Sequence, residues 1–187
     1  GEILQIAVDA KPELFDRVLK EIATETERTK REDMLRALAS VRDPALQVKA
    51  LGLMLDPRLD PRETLAMIVG GRGDRGGPGD ARATNLTVAQ TFFREHQAEI
   101  MKRMPQDGTS GPFARISALF TATCRADQRE TVSSYVQKTF EALPGGKRTV
   151  AQNLEYMEQC IARRAVLEPE IRTWLAGKPA APATATR

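Results

Sequence analysis

Residues 15–55, FDRVLKEIATETERTKREDMLRALASVRDPALQVKALGLML, decide the fold. Leu14, Phe15, Val18, Leu19 and Ile22 recur every three or four residues, and so do Met34, Leu35, Leu38 and Val41. That spacing draws one apolar stripe along a helix, and a strand would need a period of two. Pro12 suits a first turn, where its missing N–H breaks no bond. Asp43-Pro44 then reads as a helix start, with Asp43 as N-cap and Pro44 at the first helical position. Val48, Leu51 and Leu55 are the expected inner stripe of the helix that follows.

The same grammar runs outward from this stretch. Asp60-Pro61-Arg62-Glu63 repeats the start signal, with Asp60 capping and Glu63 reaching back as in a capping box. A short helix through Leu65 and Ile68 is expected to end at Gly70. Residues 70–82, GGRGDRGGPGDAR, hold six glycines and one proline and are expected to be an exposed loop. A long helix from Asn85 to Met104 should bury Ala89, Phe92, Phe93 and Ile100, and Phe113, Ile116, Leu119 and Phe120 form the next face. Asp127-Gln128-Arg129-Glu130 looks like another capping box, ahead of Val132, Tyr135, Val136, Thr139 and Phe140. Pro144-Gly145-Gly146 breaks that helix. Thr149 and Gln152 open a last long one carrying Leu154, Met157 and Ile161. Pro169 is expected to restart a short terminal helix whose Ile171, Trp174 and Leu175 face inward, and residues 178–187 to form a disordered tail.

This makes roughly eight helices with short links and no strand pattern. Short links place neighbouring helices antiparallel. The expected fold is therefore all-α: stacked antiparallel helical hairpins forming a superhelix of the HEAT or armadillo kind, over one domain at 1–177. A closed bundle is the alternative.

Composition bounds the function. Of the 187 residues 41% are hydrophobic and 28% charged, and aromatics are only 5%, so the core must rest on aliphatic side chains. The net charge of +3 comes from basic residues scattered among acidic ones, as between Glu25 and Arg36. Nucleic-acid binding calls for a one-signed patch, and none stands out. No apolar run reaches the roughly 20 residues of a membrane span. No basic-then-apolar leader opens the chain, which begins at Gly1 and reads as a piece of something longer. Cys124 and Cys160 are too few for a zinc cluster; two buried free thiols are the expectation, with a disulfide the alternative.

No catalytic constellation emerges. His96 is the only histidine, and His96-Gln97-Ala98-Glu99 is not a zinc-binding H-E-x-x-H. Its place between Phe92 and Ile100 predicts a packed ring. Gly145-Gly146-Lys147-Arg148-Thr149 has Arg where a phosphate loop needs Ser or Thr, and it lacks the upstream glycine. Arg72-Gly73-Asp74 is a tripeptide that a Gly-, Arg- and Asp-rich loop produces by chance. The carboxylate pairs Glu25/Glu27 and Glu168/Glu170 lie on charged helix faces and read as solvated surface. The basic residues Lys147, Arg148, Arg163 and Arg164 are the candidates for contact with a peptide or a partner domain.

Three stretches together resemble the C-terminal helical domain of M1-family zinc aminopeptidases, the group of puromycin-sensitive, endoplasmic-reticulum and N-type aminopeptidases. They are residues 15–55, 91–105 (TFFREHQAEIMKRMP) and 149–177 (TVAQNLEYMEQCIARRAVLEPEIRTWLAG). Leu35, Ala37, Leu38, Asp43, Pro44 and Leu46 follow the family's L-x-A-L-x-x-x-x-D-P-x-L run, and Gln152-Asn153-Leu154-Glu155 resembles its Q-S-L-E segment. The family often carries tryptophans near residues 90–97, where this chain has Gln90 and Gln97, and near Arg163. The resemblance implies a domain without catalytic residues that caps the active-site cavity and restricts or contacts peptide substrates. It implies zinc in a preceding catalytic domain of the same parent chain and none in this one. The alternatives are a free-standing helical-repeat adaptor for protein partners and a HEAT-like nucleic-acid binder.

Overall fold

The computed structural model describes residues 2–69, 80–105 and 111–177. Among these residues there is helix and no strand. The helices are α1 (Glu2–Ala10), α2 (Pro12–Glu21), α3 (Arg28–Ala39), α4 (Pro44–Leu51), α5 (Pro61–Thr64) and α6 (Ala66–Val69). They continue with α7 (Asp80–Glu95), α8 (Gln97–Lys102), α9 (Ser117–Thr121), α10 (Arg129–Phe140) and α11 (Gly146–Ala176). Helices pack on near neighbours along the chain, mostly the next or the next but one, with α3 on α6 and α4 on α7 reaching three along, which is the logic of an α-helical repeat. In the first half α3 is central, touching α1, α2, α4 and α6. In the second half α9, α10 and α11 pack on one another. The halves are joined by α7, which lies on both α4 and α9.

The apolar stripes land largely where their period puts them. Phe15, Val18, Ile22, Leu35, Leu38, Val41, Leu51, Phe92, Phe93, Ile100, Val136, Phe140 and Met157 are all buried. The start signal at Asp43 acts as a cap, its carboxylate accepting from the amides of Ala45 (2.8 Å) and Leu46 (3.0 Å). Asp60 caps α5 by accepting from the Arg62 amide at 2.8 Å.

Several local expectations are corrected. Glu63 does not close a capping box. Its carboxylate takes a bidentate bond from Arg31, at 2.5 and 2.8 Å, and a buried guanidinium partner outbids a local backbone amide. Asp127 caps no helix either; it lies in a 3₁₀ turn, Ala126–Gln128, and pairs with Arg125 at 2.6 Å. Val48 is exposed and Gln47 buried, so the inner face of α4 is rotated by one residue. The helix expected at 85–104 begins earlier, at Asp80, and is interrupted at His96 (φ −108°, ψ 14°), with Met104 beyond its end. Of the expected loop at 70–82, residues 80–82 are helical and 70–79 lie outside the described residues, as does the tail 178–187. Helix α1, which the spacing did not announce, packs across α3 through Leu4 and Val8 and leaves Ile3 and Ile6 exposed.

The largest correction concerns the C-terminus. Pro169 does not start a helix; it lies inside α11. A proline there deprives the Ala165 carbonyl of its helical donor. Ala165 is exposed, so water can take that carbonyl. Glu168 also bridges the turn, accepting from Arg164 (2.6 Å) and from Arg172 (2.6 and 3.1 Å). Ile171, Trp174 and Leu175 are exposed and not inward-facing. Ile161 is the last α11 side chain packed against the core among the described residues.

The entry to α11 depends on two glycines. Gly145 has φ +70°, a left-handed conformation that a side chain strains. Gly146 is buried, and a Cβ there would overlap the Phe140 carbonyl oxygen at the end of α10. Gly146→Ala should therefore push α10 and α11 apart and destabilise the domain by about 2–3 kcal/mol. Urea unfolding of the two proteins side by side measures this; an unchanged midpoint would mean that the α10–α11 junction is not this tight.

Candidate functional site

The residues singled out for contact do not form one cluster. Lys147 and Arg148 are exposed in the first turn of α11. Arg163 and Arg164 come sixteen residues further along the same helix, about 24 Å away at 1.5 Å per residue. Two separate basic pairs on one long helix therefore replace a single patch. Of the four, Arg164 lines a concave feature.

That feature is an open groove of about 820 Å³ between α11 and the turn before α10. Arg125 and Asp127 line one wall, and Ile161, Arg164, Glu168 and Arg172 the other. A Cys124–Cys160 disulfide, with Cα atoms 5.1 Å apart, ties the two walls together at one end. The expectation of two free thiols is thereby corrected. Separation along the chain says nothing about contact in space, and only the packing of α9 and α10 on α11 brings the sulfurs together.

Charge in the groove is paired. Hydrogen bonds from Arg164, and after it Arg172, hold the Glu168 carboxyl down at about 2, far below its usual 4.5. The Arg125 guanidinium likewise lowers Asp127. Each guanidinium still carries N–H groups beyond those donated to its carboxylate partner, because arginine offers five in a rigid fork. The groove can therefore offer oriented donors to an anionic or carbonyl-bearing ligand. Its carboxylates are paired with guanidiniums and are held in the ionised form near neutral pH.

Elsewhere the polar side chains are structural. The His96 ring stacks on Phe92 at 4.5 Å between centroids, as its position between Phe92 and Ile100 predicted. Among the described residues no three His, Cys, Asp or Glu side chains come together to hold a metal ion. Sequence reasoning passed over Arg103. Its guanidinium donates to the backbone carbonyls of Met54, Asp56 (2.6 Å) and Leu59 (2.9 Å), closing the 52–59 turn onto the end of α8. No local signal marks such a residue, since its acceptors are main-chain atoms more than forty positions away.

Fold and groove together define an all-α helical-repeat domain with an open groove lined by charged side chains. Residues 1–159 match the family described as ERAP1-like C-terminal domain. The chain belongs to that family, and so is the C-terminal domain of an ERAP1-like aminopeptidase. No curated protein and no solved structure matches it. No described helix is long and apolar enough to cross a membrane.

Two expectations follow for this site. By NMR titration the Glu168 carboxyl should have its midpoint at about 2. Its folded value is depressed, so its contribution to stability is complete above the unfolded value near 4.5 and is lost as pH falls through about 2. A midpoint near 4.5 would mean that the Arg164–Glu168–Arg172 bridge does not persist in solution. The disulfide closes a loop spanning 36 positions. Cys124→Ala, or reduction, should cost about 3–4 kcal/mol in denaturant unfolding.

Proposed function

We propose that this domain caps the active-site cavity of a zinc metallo-aminopeptidase of the M1 kind and restricts which peptides reach it. The observation that carries the reading is the family match over residues 1–159 on a helical-repeat scaffold. Residues 1–177 would act as one domain beside the catalytic domain of the same parent chain. The zinc and its ligands would belong to that catalytic domain. The single histidine here is stacked on Phe92, and the described residues offer zinc no cluster of ligands.

The physics of the fold supports this division of labour. A superhelix of stacked hairpins offers an extended inner surface and can rock against a neighbour as a unit. Peptide substrates would meet it through cationic donors, with the Arg164 guanidinium in the groove and the Lys147 ammonium and the Arg148 and Arg163 guanidiniums on the exposed faces of α11. These positions would contact either the far end of a peptide or the catalytic domain. The exposed Ile3 and Ile6 of α1, next to a groove lined by Leu4, Leu14 and Met34, suit further packing by the parent chain.

The test is made on the natural protein that carries this chain. Its intact mass and zinc content are measured, together with release of N-terminal residues from peptides of graded length. A chain much larger than 20.6 kDa, with one zinc per molecule, is expected to release N-terminal residues. Loosening the domain by Gly146→Ala is expected to relax the length preference more than it alters hydrolysis of a single-residue amide. A natural product near 20.6 kDa without metal would overturn the reading and leave a protein-binding adaptor in its place.

A further inference from the structure

Beyond Ile161, helix α11 continues for another fifteen residues, to Ala176. Apart from Val166, 64% exposed and off to one side, its exposed apolar side chains there share one face. Leu167, Ile171, Trp174 and Leu175 are 42–62% exposed and follow a spacing of four, three and one. Tyr156, 68% exposed, and Cys160 continue the same line toward the core. Positions 156, 160, 167, 171 and 174 follow one another in steps of four, seven, four and three, and so share one stripe of the helix. That is the seam of a helix that packs lengthwise on one other helix. From Tyr156 to Trp174 the seam runs about 27 Å.

Two charges flank the seam on one side, Arg163 and Glu170. Neither makes a hydrogen bond or an ion pair among the described residues, although nearly all the arginines around them do. They lie seven residues apart, two turns of helix, and so on the same face. An antiparallel copy of the same helix, crossing between Val166 and Leu167, sets Arg163 of one chain against Glu170 of the other, and the reverse. The same register sets Trp174 opposite the Gln159–Cys160 stretch and Tyr156 opposite Gly177, bulky rings against smaller residues. A helix with a uniformly charged flank could not answer itself in this way.

We propose that the exposed seam of α11 is the interface with a second copy of this chain, two α11 helices pairing antiparallel about a two-fold axis. The contact is isologous, so every contribution counts twice. Leu167, Ile171 and Trp174 supply the buried apolar area. The reciprocal Arg163–Glu170 pairs lie at the rim and set register and orientation more than affinity. The inference is tested apart from the aminopeptidase reading, because its readout is the mass of the assembly and not its activity; it assigns Arg163 to the second copy and leaves Lys147, Arg148 and Arg164 for peptide or domain contact.

The experiment uses the natural protein carrying this chain, with its mass followed by sedimentation equilibrium over a hundredfold range of concentration. The native protein should dimerise. Arg163→Glu alone sets two carboxylates against each other, and Glu170→Arg alone two guanidiniums; each should weaken the dimer tenfold or more. The double variant Arg163→Glu/Glu170→Arg restores opposite charges across the axis and should recover most of the affinity. Ile171→Asp should leave a monomer. All three sites are exposed, so far-UV circular dichroism should be unchanged throughout. A native monomer at every concentration would overturn the proposal and mean that another part of the parent chain covers the seam. A dimer indifferent to Arg163→Glu and Ile171→Asp, or single charge reversals that the double variant fails to rescue, would equally overturn it.

Discussion

Everything in this domain hangs on a knot of aromatic rings at its middle. Phe93 of α7 meets Phe120 of α9 and Phe140 of α10 at 5.8 and 5.7 Å between centroids, and Phe120 meets Tyr135 edge-on at 4.7 Å. The Arg94 guanidinium lies over Phe120 and Tyr135. With aromatics at only 5% of the chain, gathering four of them at one place is the main concentration of large side chains in the core. Such pairs are worth about 0.5–1.5 kcal/mol each beyond the area they bury. Helix α7 also lies on α4, so this knot is where the first half of the repeat is fastened to the second.

Around that knot, polar side chains hold the parts that helices cannot. Arg31 joins α3 to Glu63 of α5 and also donates to the Glu25 carbonyl at 2.7 Å, closing the turn before its own helix. Arg103 does the same for the 52–59 turn. Such guanidiniums are half-buried and satisfied, so removing a partner strands a charge. The ion pairs Arg164–Glu168 on α11 and Arg17–Glu21 on α2 are exposed, and each adds little stability of its own. The arginines thus stabilise turns and shape a groove.

The inner faces were legible because burial follows a period of 3.6, which depends only on the order of residues. The caps at Asp43 and Asp60 were legible because a cap is settled within three residues. The misreadings share one cause. Glu63 and Asp127 have the spacing of capping residues, but each found a guanidinium nearby that local reasoning does not see. Gln47 and Val48 exchanged inside for outside because two neighbouring helices, α3 and α7, set the rotation of α4. Of the candidate contact residues, Lys147, Arg148, Arg163 and Arg164 were visible as charges. That they form two pairs on one helix was hidden until α11 proved to begin at Gly146, which takes in Lys147 and Arg148.

By itself, then, the order of residues determined that this protein is all-helical, where most helices begin, which faces are apolar, and the family to which it belongs. Those properties rest on backbone geometry and local hydrogen bonds. Tertiary structure alone decided that Cys124 meets Cys160, that Arg31 reaches Glu63 and Arg103 three distant carbonyls, and that the last turns of α11 stand clear of the core with Leu167, Ile171 and Trp174 exposed. Those outcomes depend on how separate helices fill a common volume, and a pattern along one helix carries no information about its neighbours.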